Sequence, residues 1–265
     1  MPRSKRKGYR APALEKGLDV LELLAEASAP MTTAAIAGAL SRSRSEIFRM
    51  LSVLEDRAFI ERSPSDEGFA LTPRLLELAM KNPPTHSLLQ AALPVMERLA
   101  ESARQSCHLA VQSGADMVVI ARVESSDEVG LAVRIGHRRS LVESTSGRVL
   151  LAFQPETRRA EWLRTLRGRV ACDEAELARD LARIRRSGHR RARSSFVRGI
   201  VDLGAPVFDG RSPGAVAALT VPCVQKRIRP EPISAAAERV EAAAREISAV
   251  LARTAGGSAR LWAVS

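Results

Sequence analysis

Aromatic residues make up only 3% of this 265-residue chain: one Tyr, two Trp and six Phe. That is too few for the stacking platforms on which single-stranded nucleic acids are read, and it argues against an RNA-binding module. Cysteine is scarcer still. Cys107, Cys172 and Cys223 are odd in number and far apart, so no disulfide framework is written here, and all three are expected to be buried fillers. His86, His108, His137 and His189 are scattered, and no Cys/His cluster has metal-ligand spacing; neither a metal nor a cofactor is expected. No apolar run approaches the length that spans a membrane. The start, Met1-Pro2-Arg3-Ser4-Lys5-Arg6-Lys7, is basic but lacks the apolar segment of a secretory signal, and a cytoplasmic address is expected. The P-loop, G-x-G-x-x-G and H-E-x-x-H signatures do not occur, so the chain is not expected to be an enzyme.

What is present in quantity is positive charge, +11 overall, but it sits in an uninformative place. Residues 1–81 hold 13 Lys and Arg against 11 Asp and Glu, and the remainder holds 28 against 19. Much of the excess is arginine between Arg134 and Arg193. Net charge is therefore no argument for nucleic-acid binding. The cluster Arg3, Lys5, Arg6, Lys7 and Arg10 is different: it reads either as an arm able to follow phosphates or a minor groove, or as a solubilising tail.

Local order is more telling. A short amphipathic segment with Ile36 and Leu40 meets a polar break at Ser41-Arg42. A second helix pattern follows, with Ile47, Phe48, Leu51 and Leu54 at helical spacing. Then come two short strand-like runs, Phe59–Arg62 and Gly68–Leu71, around the turn residues Pro64 to Gly68. Helix, turn, helix and hairpin in that order describe a winged helix-turn-helix, which lays its second helix in the major groove. Ser43-Arg44-Ser45-Glu46 fits a capping box at the start of that helix. Arg42, Ser43, Arg44, Ser45, Glu46 and Arg49, with Arg62 on the wing strand, form the expected DNA-binding set, and a solvated helix face is the alternative.

Longer stretches carry a resemblance. Residues 13–24 (ALEKGLDVLELL) precede the module, 49–55 (RMLSVLE) lie on the second helix, and 71–78 (LTPRLLEL) follow the wing. Further on stand 131–136 (LAVRIG), 144–148 (STSGR) and 204–209 (GAPVFD). In this order they resemble the IclR family of bacterial transcriptional regulators over nearly the whole chain. The resemblance implies an α+β protein: an N-terminal winged helix-turn-helix domain (1–81), a linker (82–86) and a C-terminal GAF-like antiparallel-sheet effector-binding domain (87–265). The pattern of residues 87–265 agrees, with helices at 87–103 and 233–253 flanking strand-like runs at 107–112, 117–123, 129–135, 200–203, 205–208 and 215–221, and helices at 144–153, 156–166 and 173–186 among them. Two departures stand in the DNA-reading part. The family usually has Thr or a similar small residue where Glu46 stands, and a carboxylate there could accept from cytosine. It usually has Gly where Ala58 stands, which suggests a different helix exit.

The Ser144–Arg148 turn offers hydroxyls and helix-start amides suited to a carboxylate, or is simply a capped helix start. The resemblance implies effector contacts at Thr145, Ser146, Asp202, Thr220 and Pro222, to which the turn adds Gly147; Arg193 or Arg148 near the mouth would suit a carboxylate. The expected function is a ligand-responsive regulator binding double-stranded operator DNA as a homodimer or homotetramer, controlled by a small carboxylate-bearing effector, with no membrane partner. The alternative is a small-molecule sensor or enzyme without operator-specific binding.

Overall fold

Helix α1 (Pro12–Glu26) starts on a proline, whose fixed φ suits a first helical turn and whose missing N–H is not needed there. The computed structural model describes residues 11–63, 68–127, 130–166, 173–224 and 232–261, the last seven by backbone alone. The basic arm, the wing-turn residues 64–67 and Cys172 lie outside the described residues. The chain divides into two compact units, Met1–His86 and Ser87–Ser265.

In the first unit β1 (Met31–Thr32) leads into α2 (Thr33–Ala39), whose first turn is capped by the Thr32 hydroxyl accepting from the Ala35 amide at 3.2 Å. Ser41 makes the tight turn at φ 53°, and the Arg42 amide returns to the Ala37 carbonyl at 2.9 Å. Helix α3 (Arg44–Asp56) then starts at the capping box its sequence spells. Strands β2 (Ile60–Arg62) and β3 (Gly68–Leu71) close a small sheet in the order β1-β3-β2, and α4 (Arg74–Met80) follows. Val20, Leu24, Ile36, Ile47, Leu51, Ile60 and Phe69 form its core. Phe48, counted on the apolar stripe from sequence, is 54% exposed. Ile47 and Leu51 fill the buried side of α3 and leave it no room there.

The helix exit at Ala58 also differs from expectation. It is the ordinary Schellman turn, with the Phe59 amide on the Leu54 carbonyl at 2.9 Å, but an alanine occupies the left-handed position at φ 57°. A Cβ there costs about 1–2 kcal/mol. Ala58→Gly should therefore stabilise this unit by about 1 kcal/mol, part of the gain being lost to the freer unfolded chain. Native-state hydrogen exchange of α3 amides should slow about fivefold; unchanged or faster exchange would show that the turn carries no strain.

Helix α5 (Pro83–Ala103), which supplies the first element of the second unit from Ser87 on, begins earlier than the expected start at residue 87, because Pro83 and Pro84 both fit a first turn. Pro94 lies inside α5 without ending it. Strands β4 (Cys107–Ser113), β5 (Asp116–Val123) and β6 (Arg138–Ser140) precede α6 (Thr145–Ala152), α7 (Glu156–Leu166) and α8 (Glu174–Ser187). Strands β7 (Arg190–Arg193), β8 (Ile200–Val207) and β9 (Ala217–Val224) complete an antiparallel sheet in the order β6-β5-β4-β9-β8-β7, and α9 (Ile233–Leu261) follows. One sheet face buries Leu109, Leu203 and Leu219 with Met96 of α5 and Val240 and Ile247 of α9. The other buries Ala110, Val119 and Ala218 with Leu150 of α6 and Leu181 of α8. Cys107 and Cys223 are both buried. Among the described residues, no helix is long and apolar enough to cross a membrane.

The strand expected at 129–135 is absent from its described part, residues 130–135. Leu131 to Arg134 line a cavity instead while Ile135 is exposed, and ladder bonds to Val119 begin only at Gly136 and His137. The short strand β7 was not legible at all. Arg190-Arg191-Ala192-Arg193 has the charge of an edge strand but none of its apolar alternation.

Candidate ligand cavity and nucleic-acid interface

The start of α6 is held very close to the chain that leads into it. Ser144 caps the helix by accepting from the Gly147 amide at 3.1 Å while donating to the Ser140 carbonyl at 3.2 Å. Residue 147 must be glycine, since a Cβ would stand 2.4 Å from the Leu141 carbonyl oxygen. Gly204 on β8 likewise lets the sheet approach: a Cβ there would lie 2.9 Å from Thr145 Cγ2. These two close approaches bring the first turn of α6 down onto β8 and β9.

The hydroxyls that result form a connected set. Ser146 Oγ lies 2.9 Å from Thr220 Oγ1 and 3.3 Å from His108 Nε2. Thr145 Oγ1 donates to Asp202 Oδ2 at 3.4 Å and accepts from Arg190 Nη1 at 2.7 Å. His108, Thr145, Ser146, Asp202 and Thr220 all line a cavity of about 270 Å³. Met117, Leu131, Val133 and Pro222 supply its apolar wall, Arg134 and Arg139 its cationic side, and His137 also lines it. Phe196 lies against that side, with the Arg139 guanidinium 5.4 Å from its ring centre.

Burial pushes the Asp202 carboxyl above its ordinary range, and hydrogen bonds from Ser194 and Thr145 with the charges of Arg190 and Arg139 offset only part of this. Burial also lowers the His108 pKa to about 4, helped by the charge of His137, so the imidazole is neutral at pH 7. Its Nδ1 is buried with no hydrogen-bond partner among the described residues. The cavity therefore presents donors, neutral acceptors, one carboxyl and two guanidinium groups to whatever enters. Among the described residues, no group of three or more His, Cys, Asp or Glu could hold a metal ion.

Four of the expected effector residues, Thr145, Ser146, Asp202 and Thr220, come together here across the sequence. Gly147 does not line the cavity; it packs on Leu141. Neither Arg148 nor Arg193 lines it. Arg148 turns away to the Val142 carbonyl at 2.7 Å and to Asp180 at 2.6 Å, because that buried carboxylate is its strongest available partner. Arg193 is exposed on the edge strand. His108, Arg139 and Arg190 were missed from sequence. Two are single members of arginine-rich runs, and His108 is a lone strand residue whose only signal is its register opposite Thr220.

The face expected to read DNA is equally well defined. Arg42, Arg44, Ser45 and Arg49 are exposed, and the three arginines make no ion pair among the described residues. Ser43 is exposed too, but its hydroxyl is committed to the cap. Glu46, a candidate cytosine acceptor on sequence, is engaged inside its own unit. Its Oε1 takes Lys16 Nζ at 2.5 Å, and its Oε2 takes the Ser43 amide at 3.2 Å and hydroxyl at 3.0 Å. The Lys16 hydrogen bond, then those from Ser43, hold its pKa at about 2. Arg62 pairs with Glu55 at 3.2 Å and stands 4.9 Å from the Phe69 ring, so the hairpin holds it.

Residues 84–249 match the family described as bacterial transcriptional regulator IclR C-terminal, and residues 13–64 match the IclR helix-turn-helix domain. The chain is 28% identical over 247 residues to the uncharacterized HTH-type transcriptional regulator RhmR of Escherichia coli K12, covering 91% of this chain and 94% of that one. It is 26% identical to the glycerol operon regulatory protein of Streptomyces coelicolor, covering 89% and 96%. Among solved structures, an IclR homolog from Microbacterium hydrocarbonoxydans complexed with 4-hydroxybenzoate is 26% identical at a TM-score of 0.74, covering 90% of this chain and 98% of that one. Pseudomonas aeruginosa HmgR is 27% identical at a TM-score of 0.72, with the same coverages.

Proposed function

The chain belongs to the IclR family of bacterial transcriptional regulators, and from that premise we propose that a small carboxylate-bearing metabolite, held in the cavity under α6, controls its binding to operator DNA through α3. The observation that carries this reading is the cavity's composition. Hydroxyls of Thr145, Ser146 and Thr220 and the Asp202 carboxyl face an apolar wall, with Arg134 and Arg139 at one side. An aromatic acid with a second polar group fits that set: guanidinium for its carboxylate, apolar wall for its ring, Asp202 for a hydroxyl. The 4-hydroxybenzoate bound by the Microbacterium structure supports the class.

The ligand acts by population shift, binding one arrangement of the DNA-binding domains better than another. The chain works as a dimer or tetramer, since a single reading helix covers too few bases and paired half-sites need paired modules. A fluorescence titration of an operator duplex tests both sites at once. Arg44→Ala and Arg49→Ala should each weaken binding about tenfold at matched salt. Asp202→Ala should leave ligand-free DNA affinity alone and change the response to hydroxylated aromatic acids. A monomer in solution with full affinity for one half-site, or an Asp202→Ala chain with an unaltered response, would defeat the corresponding half of the reading.

A further inference from the structure

An exposed phenylalanine on the reading helix has no structural duty. Phe48 is 54% exposed, while Ile47 and Leu51 on the same helix are buried. It shares a shallow concave surface with Thr33, Arg44, Ser45 and Arg49. Arg44, Ser45, Phe48 and Arg49 stand on adjoining positions of the first turns of α3, the part of such a helix that meets base edges. Three of the six phenylalanines are exposed, Phe48, Phe196 and Phe208, and of these Phe48 alone stands on α3.

The neighbours say what covers it. Arg44 and Arg49 are exposed and make no ion pair among the described residues, so the surface around the ring is cationic and hydroxyl-bearing. That suits a polyanion better than an apolar protein face. A benzyl side chain neither donates nor accepts hydrogen bonds. In the major groove one base alone presents an apolar group at its edge, thymine with its 5-methyl. We propose that Phe48 is a specificity-determining residue that reads a thymine 5-methyl group in each operator half-site, with Arg44 and Arg49 setting the helix on the flanking backbone or guanine edges.

This rests on the reading that α3 binds DNA, and the test separates the two. Duplexes bound by the native full-length chain are selected from a random library, and each thymine of the selected site is replaced singly by deoxyuridine, which keeps the pairing edge and removes only the methyl. Burying one methyl is worth about a fourfold change in affinity. The native chain should lose about fourfold at one thymine in each half-site and nothing elsewhere. Phe48→Ala should bind the thymine and uracil duplexes alike, and Phe48→Leu, still apolar, should keep most of the difference. Arg44→Ala should weaken both duplexes equally. A native chain that binds its selected site tightly yet ignores every uracil overturns the proposal, as does a uracil penalty that persists in Phe48→Ala. Loss of the oligomer in Phe48→Ala with the penalty intact would assign the ring to contact between copies instead. A native chain that enriches no sequence would overturn the DNA-binding reading itself.

Discussion

Gly147→Ala will destabilise the C-terminal unit by about 3 kcal/mol, the upper end of what overpacking a core site costs. The added Cβ would stand 2.4, 2.5 and 2.7 Å from the carbonyl oxygen, Cα and carbonyl carbon of Leu141. All three are backbone atoms, so no side chain can swing aside. Leu141 is fully buried in the second core and cannot retreat. The turn of α6 must lift instead, which breaks the Ser144 cap and carries Thr145 and Ser146 away from Asp202 and Thr220. For a unit of this size the melting point should fall by roughly 6–12 °C, and the ligand response should be lost with it. Gly17→Ala on α1, where a Cβ meets nothing within 4 Å, is the control and should be neutral or slightly stabilising. Equal melting points for the Gly147 variant and the native chain would show that the α6 turn relaxes freely.

The readable parts of this molecule were the local ones. Ser43 and Glu46 are three residues apart, and the capping box they form needs nothing from the rest of the fold. Thr145 and Asp202 meet across 57 residues, and nothing in their own spacing shows it; the family resemblance alone suggested the pairing. Periodicity placed Phe48 in the core because it adjoins Ile47 and Leu51 on the helical wheel, and only packing decides which side of the stripe is covered. Alternation placed a strand at 129–135, where the consecutive residues Leu131 to Arg134 wall a cavity instead. Ala58 hides a left-handed position that a glycine would have announced. The arginines were the least legible. In a run such as His189-Arg190-Arg191-Ala192-Arg193, charge says nothing about which guanidinium turns inward, and here it is Arg190 that reaches both Asp180 and Thr145.

That inward arginine belongs to the most consequential polar cluster among the described residues. Asp180 of α8, only 5% exposed, takes Arg148 Nη1 at 2.6 Å and Arg190 Nη2 at 3.2 Å on one oxygen and Arg183 on the other. The carboxylate thus ties α8 to α6 through Arg148 and to β7 through Arg190. Asp180→Ala leaves two largely buried guanidinium groups facing each other without their counter-charge, and removing one partner of a buried ion pair costs about 3–5 kcal/mol. The loss should appear as a clear fall in melting point and, through the freed Arg190, as a changed ligand response, because Thr145 loses its fixed donor. The pH dependence carries an independent sign. Burial works to raise the Asp180 pKa but is outweighed by the hydrogen bonds from Arg148 and Arg183 and the charges of Arg190 and Arg148, so the folded value lies below the ordinary one. A lowered folded pKa means stability present above the unfolded value near 4 and lost as pH falls through the folded value. Asp180→Asn should therefore be destabilised at pH 7 and should flatten the acid limb of the stability curve. Asp202 has the opposite sign: its pKa is raised by burial, so its contribution is present below the unfolded value and is lost as pH rises through the folded one. Asp202→Asn should accordingly leave the ligand-free protein as stable or more so at pH 7. Melting curves of the two Asn variants between pH 3 and 8 decide the matter, and parallel curves would show that neither carboxylate is coupled to folding in the way its surroundings imply.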